Sequence, residues 1–348
     1  MEIYPEECGE CHRRIHPSRR TKMWLWLIQQ VVDIPPVAAQ VTQYQCYGGI
    51  CAGCGALNVA KVPEDAAGVV AGARLQAIAS VLSGRFRLSR REVEEALVAL
   101  FGPKADLALG TISNLEEQTS AALEPVYKEA HQKAQTAPRA NVDETGWREG
   151  RKRAWLWVMV TSLLTVFRID RGRGYEAFQG LAGGFKGILS TDRWRVYMYW
   201  AKRGHQFCWS HLKRDFTSWK DLEGHEGKIG AACLECERQV MHLWHRFKRR
   251  EISRGTLQAY LRPIQRKLHG FLRRGRRLEA IASPCKELLE FWPCLWVFIR
   301  VAGVEPTNNV GEQEIRPAVL WRKGSFGSHS PQGSRFVERM LTVTRSLR

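Results

Sequence analysis

The spacing of apolar and polar positions changes character several times along the chain. Between Glu64 and Pro138 apolar residues recur at helical spacing: Leu75, Ile78, Ala79 and Leu82 share one face over 72–82. Val93, Leu97 and Leu100 share one face of the next helix, with Ser89 placed to cap its N-terminus. Gly102-Pro103 ends that helix and Thr111 opens another. Two helices joined by so short a break fit a helix-turn-helix, whose second helix enters the major groove. A plain helical bundle linking two domains fits the same spacing. Glu116 and Glu117 on the second helix count against base reading there.

From Arg139 the period becomes that of strands. Ala140 to Val142 predicts a strand ending in Asp143; AWLWVMVT and LTVFRID predict a hairpin; Gly187 to Ser190 leads to Asp192. HQFCW predicts a further strand, before a helix starting near His211. Strand, strand, strand, helix, strand, with acids ending the first and fourth strands, is the order of an RNase H-like sheet, which sets Asp143 and Asp192 side by side. Between Trp219 and Val304 the pattern is helical and basic, a helical insertion that such a core does not need. Its Lys and Arg clusters suit either a DNA backbone or a solvated amphipathic bundle.

Charge narrows the class of partner. The 348 residues hold 53 Lys and Arg against 35 Asp and Glu, a net charge of +18. A polyanion is the partner such an excess fits, and no apolar run is long enough to cross a bilayer. The acidic N-terminus lacks the charge of a secretory signal, so a cytoplasmic, nucleoid-associated protein with reduced cysteines is expected.

Within this basic chain three acids stand at strand or turn edges: Asp143 in NVDETGW, Asp192 in GILSTDRW and Glu312 in EPTNNVGEQEIRP. Three converging carboxylates hold two Mg²⁺ (or Mn²⁺) ions for in-line displacement at a phosphodiester. Asn308 and Asn309 suit a turn and helix cap, which sets Glu312 in the first helical turn facing the sheet. Glu314 points away from that face. Arg316, Arg322 and Lys323 follow closely and suit flanking phosphates.

Ten cysteines suggest a second kind of chemistry. Cys8-x-x-Cys11 and Cys51-x-x-Cys54 are two knuckles of the kind that cage Zn²⁺ in four thiolates, with Cys46 or His16 able to replace one ligand. An apolar unit from Met23 to Val32, with Ile34, Val37 and Val41, is expected to fill the span between them. Unligated buried thiols are the alternative. Cys208, His211, Cys233 and Cys236 also have the composition of a zinc site, though paired thiols buried on a helix fit Cys233 and Cys236 equally.

NVDETGWREG, STDRW, CWSHLKRDF, EPTNNVGEQEIRPAVLWRKGSFG and GSRFVERMLTV together resemble the transposase of the insertion sequence 66 family, a DDE-type bacterial transposase. The resemblance spans nearly the whole chain. It implies an α/β protein with an RNase H-like catalytic core carrying a helical insertion, preceded by a small zinc-binding domain and a helical segment. The divisions are 1–63, 64–138 and 139–348, with the insertion over about 219–304. It implies that Asp143, Asp192 and Glu312 are the metal-binding triad that cuts transposon ends and joins them to target DNA. It further implies that Cys208 and His211, a Cys-x-x-His after the second Asp, support the site. Partners implied are DNA, further copies of the chain and accessory proteins of the same element. Gln313 stands where the family commonly has Arg, and the knuckles begin almost at Met1. A shortened copy that only binds DNA is therefore the alternative function.

Overall fold

The computed structural model describes residues 2–15, 24–200 and 204–347. His16 and Met23 lie outside them. Near the N-terminus the two Cys-x-x-Cys segments fold alike. The Cys8 amide donates to the Arg13 carbonyl at 2.9 Å and the His12 amide to the Cys8 carbonyl at 3.0 Å. The Cys51 amide likewise donates to Ala56 at 2.9 Å and the Gly55 amide to Cys51 at 2.8 Å. His12 and Gly55 hold the matching left-handed position, at φ 54° and 73°. Strands β1 (Gly48–Ile50) and β2 (Leu57–Val59) pair antiparallel around the second knuckle.

The expected apolar unit between the knuckles does not pack. Residues 24–45 have no regular structure, and Trp24, Trp26, Val32 and Ile34 are largely exposed. The Val-Val-Asp-Ile-Pro-Pro run lacks the period of helix or strand, and two prolines deny it donors for either.

Helices α1 (Ala73–Gly84), α2 (Arg90–Phe101) and α3 (Leu109–Gln135) follow. Ser89 caps α2 as its position predicts, in a full capping box with Glu92. The third helix starts two residues before Thr111, because Ile112 and Leu115 are drawn into a cluster with Val93 and Leu97. Farther along α3, which ends at Gln135, Tyr127, Ala130 and Ala134 pack with the sheet.

That sheet has five strands: β3 (Arg139–Glu149), β4 (Lys152–Val160), β5 (Thr165–Asp170), β6 (Ile188–Thr191) and β7 (His205–Phe207), in the order β5-β4-β3-β6-β7. The predicted hairpin is the antiparallel β4–β5 pair, while β6 and β7 run parallel to β3. Helix α4 (Tyr175–Ala182) precedes β6 and covers one face through Phe178 and Leu181. The other face is covered by α10 (Asn309–Ser325) and α11 (Pro331–Ser346), through Ile315, Ala318, Phe336 and Met340.

Between the sheet and α10 lie α5 (Trp209–Lys220), α6 (Gly224–Lys248), α7 (Arg254–Gly275), α8 (Ala282–Glu290) and the single turn α9 (Val297–Arg300). The insertion is helical as its spacing predicts. Leu257, Leu261, Ile264, Leu268 and Leu272 form one buried stripe of α7, and Arg262, Arg266 and Arg273 lie on the exposed side. Helix α5 starts at Trp209 rather than near His211, because Trp209 is wholly buried and its amide donates to the Pro306 carbonyl at 2.9 Å.

Candidate active site

Asp143 lies within β3 and does not end it. The strand runs on to Glu149 because β4 pairs with it residue by residue, Asp143 opposite Val158. Only the parallel partner stops early: β6 pairs with Arg139, Ala140 and Asn141, and the same offset sets Asp192 level with Asp143. The sequence expectation that these two acids lie side by side is realised by this register.

Alternation along β3 sends Asp143 and Glu144 to opposite faces. Asp143 shares its face with Thr145 and Trp147, the face that α10 covers. Glu144 turns to the other side and is fully engaged. Arg173 donates to it at 2.8 and 3.1 Å, and the Tyr197 hydroxyl donates to it as well. The Arg173 guanidinium lies over the rings of Trp155 and Trp194 at 4.5 and 4.1 Å, so Glu144 ties the segment carrying Asp192 to the sheet. The Trp194 amide in turn donates to Asp192 Oδ1 at 2.8 Å. Sequence reading missed Glu144; its one signal was a second acid directly after Asp143 in a strand.

Glu312 comes from the first turn of α10, and Asn308 sets that turn in place. Asn308 occupies the N-cap position, yet its side chain caps nothing. It donates instead to the Val142 carbonyl at 2.9 Å and accepts from Asn141 Nδ2 at 2.8 Å. Its own amide donates to Cys208 Sγ at 3.1 Å. The buried Asn308 thereby clasps α10 to the strand that carries Asp143, a more demanding use than helix capping.

The electrostatics separate these three acids from their neighbours. Glu144 is paired with Arg173, Asp215 with Arg193, Glu314 with Arg345 and Glu149 with Arg171. Among the described residues no Lys or Arg pairs with Asp143, Asp192 or Glu312. Burial, with the carboxylates of Glu144, Asp192 and Glu312 nearby, pushes Asp143 up to about 7. Glu314 is engaged by Arg345, which donates to both of its oxygens at 2.6 Å.

Cys208 and His211 join Glu312. Cys208 Sγ, an imidazole nitrogen of His211 and a Glu312 oxygen lie within 4.8 Å of one another, and His211 Nδ1 is 3.8 Å from Glu312 Oε1. Among the described residues this is the group of three or more such donors gathered so closely, and the three acids are not gathered to the same degree. Cys233 and Cys236 belong elsewhere, beside Cys285 in the apolar cluster of α5–α8, so no four-ligand set with Cys208 and His211 forms. Nor are the sulfurs of Cys8, Cys11, Cys51 and Cys54 gathered into one such group.

Of the three basic residues after Glu312, Arg316 and Lys323 are exposed. Arg322 is half-buried, and its Nη1 donates to Thr145 Oγ1 at 3.2 Å and to the Gly146 carbonyl, binding α10 to β3. The two outward residues remain available to a polyanion.

A family model described as "Transposase IS66 family" matches residues 94–335, more than half of the chain. The chain belongs to this transposase family. The match takes in the sheet, the insertion and all three acids. No curated protein matches the chain. No helix among the described residues is long and apolar enough to cross a membrane. As a member of a transposase family, the chain acts in DNA transposition.

Proposed function

We propose that the chain cuts the ends of its insertion sequence and joins them to target DNA at a site built from Asp143, Asp192 and Glu312. The observation that carries this reading is that these three acids lack the Arg partners that Glu144, Glu149, Asp215 and Glu314 have. Carboxylates without a Lys or Arg partner, two of whose charges help raise the buried Asp143, are a donor set that suits hard divalent cations. Asp143, Asp192 and Glu312 would hold Mg²⁺ or Mn²⁺. Such ions, when bound, activate water or a 3′-hydroxyl and stabilise charge on the scissile phosphate.

The chain's own residues do the rest. Asn308 fixes the distance of Glu312 from β3, and the Glu144–Arg173–Trp194 chain fixes the segment of Asp192. Arg316 and Lys323 face outward, where flanking phosphates would pass. The strand order β5-β4-β3-β6-β7, three antiparallel strands followed by two parallel to the first, supports an RNase H-like core. Over 1–63 the matched folds of the two knuckles support a structural Zn²⁺ held by Cys8, Cys11, Cys51 and Cys54. In each knuckle, amides of the turn favour the thiolate of the first cysteine. The helices of 64–138 would link that domain to the core or bind DNA.

The test is an assay on labelled DNA carrying the inverted repeats that flank the gene. Mg²⁺-dependent cleavage followed by transfer of label into a target plasmid is expected. Binding without cleavage would leave only the DNA-binding alternative.

A further inference from the structure

Cys208 Sγ is a buried thiol in an unusual setting. Burial pushes the thiol up, an effect that the amides of Asn308, His211 and Ser210 only partly offset, and Sγ lies within 4.8 Å of ligand atoms of His211 and Glu312. Next to it, His211 Nδ1 is buried with no hydrogen-bond partner. A buried imidazole nitrogen left unmatched is costly, and a bound ion is one way such a site is completed. The third donor, Glu312, is 42% exposed and opens the group to solvent. The other four buried cysteines belong to no such donor group: Cys233, Cys236, Cys285 and Cys294 are all packed in the apolar helical cluster.

We propose that Cys208, His211 and Glu312 form a binding site for a thiophilic divalent cation of the Zn²⁺ class, distinct from the carboxylate site and sharing Glu312 with it. One thiolate, one imidazole and one carboxylate, with a fourth position open to water, is a donor set that Zn²⁺ takes and Mg²⁺ does not. Binding releases the thiol proton to solvent, leaving charge balanced between thiolate, carboxylate and ion. Held there, Glu312 is withdrawn from Asp143 and Asp192. Zn²⁺ then inhibits Mg²⁺-driven cleavage, a consequence that rests on Glu312 being the third acid; the binding itself does not.

Zinc content after dialysis against trace Zn²⁺ tests this on the full chain, comparing wild type with Cys208→Ser, Glu312→Gln and Asp143→Asn. Wild type and Asp143→Asn are expected to retain one more zinc per chain than Cys208→Ser and Glu312→Gln, since any knuckle zinc is common to all four. Glu312→Gln, at a partly exposed position, serves should Cys208→Ser not fold. Equal zinc in wild type and Glu312→Gln would overturn the proposal. Failure of Mg²⁺-driven cleavage in wild type would instead refute the triad reading and leave the zinc difference standing.

Discussion

Asp143 and Glu144 are neighbours with opposite fates, one left without a cation and the other held by Arg173 and Tyr197. A carboxyl whose folded value is raised, here from 3.8 to about 7, favours the fold when protonated. Its contribution is full below the unfolded value and lost as pH rises through the folded one. The metal-free protein is therefore expected to lose on the order of a few kcal/mol between about pH 4 and pH 8. Glu338, raised to about 7 mainly by burial, acts with the same sign. Asp143→Asn should be more stable than wild type at the upper end of this range without metal, and Mg²⁺ should close the gap; thermal melts across pH check both. The basic residues divide in the same way. Arg322→Ala is expected to cost about 1–3 kcal/mol, because its hydrogen bonds to β3 disappear. Arg316→Ala and Lys323→Ala should leave the melt unchanged and weaken DNA binding; paired melts and binding isotherms separate the two classes.

At the scale of elements, the site depends on how α10 meets β3. Asn308→Ala removes the bonds to Val142 and Asn141 while sparing all three acids. It is expected to cost about 1–3 kcal/mol and to lower cleavage more than DNA binding, which a melt and a cleavage assay measure together. Much of this scale was legible in the sequence. The β4–β5 hairpin, the Ser89 cap and the helical insertion follow from local period and capping chemistry. What was not legible depends on partners far away in sequence. Local signals end β3 at Asp143, and only the β4 ladder carries it to Glu149. Asn308 reads as a cap until Val142 is seen beside it. The run after Met23 reads as core by composition, yet it has no period with which to bury itself.

At the scale of the molecule, Lys and Arg outnumber Asp and Glu by 53 to 35, a net charge of +18. DNA affinity should fall steeply with salt, and replacing Arg262, Arg266 and Arg273 with Gln should reduce the salt slope by about 0.9 for each phosphate no longer neutralised, without changing sequence preference. Titrations at several salt concentrations check it. The central claim is that Asp143, Asp192 and Glu312 carry the chemistry and not the binding. The most direct measurement is single-turnover cleavage of end DNA in Mg²⁺ by Asp143→Ala, Asp192→Ala and Glu312→Ala, each beside its binding isotherm. Loss of cleavage in all three with end binding retained is the predicted result. Retained cleavage by Asp143→Ala would contradict it.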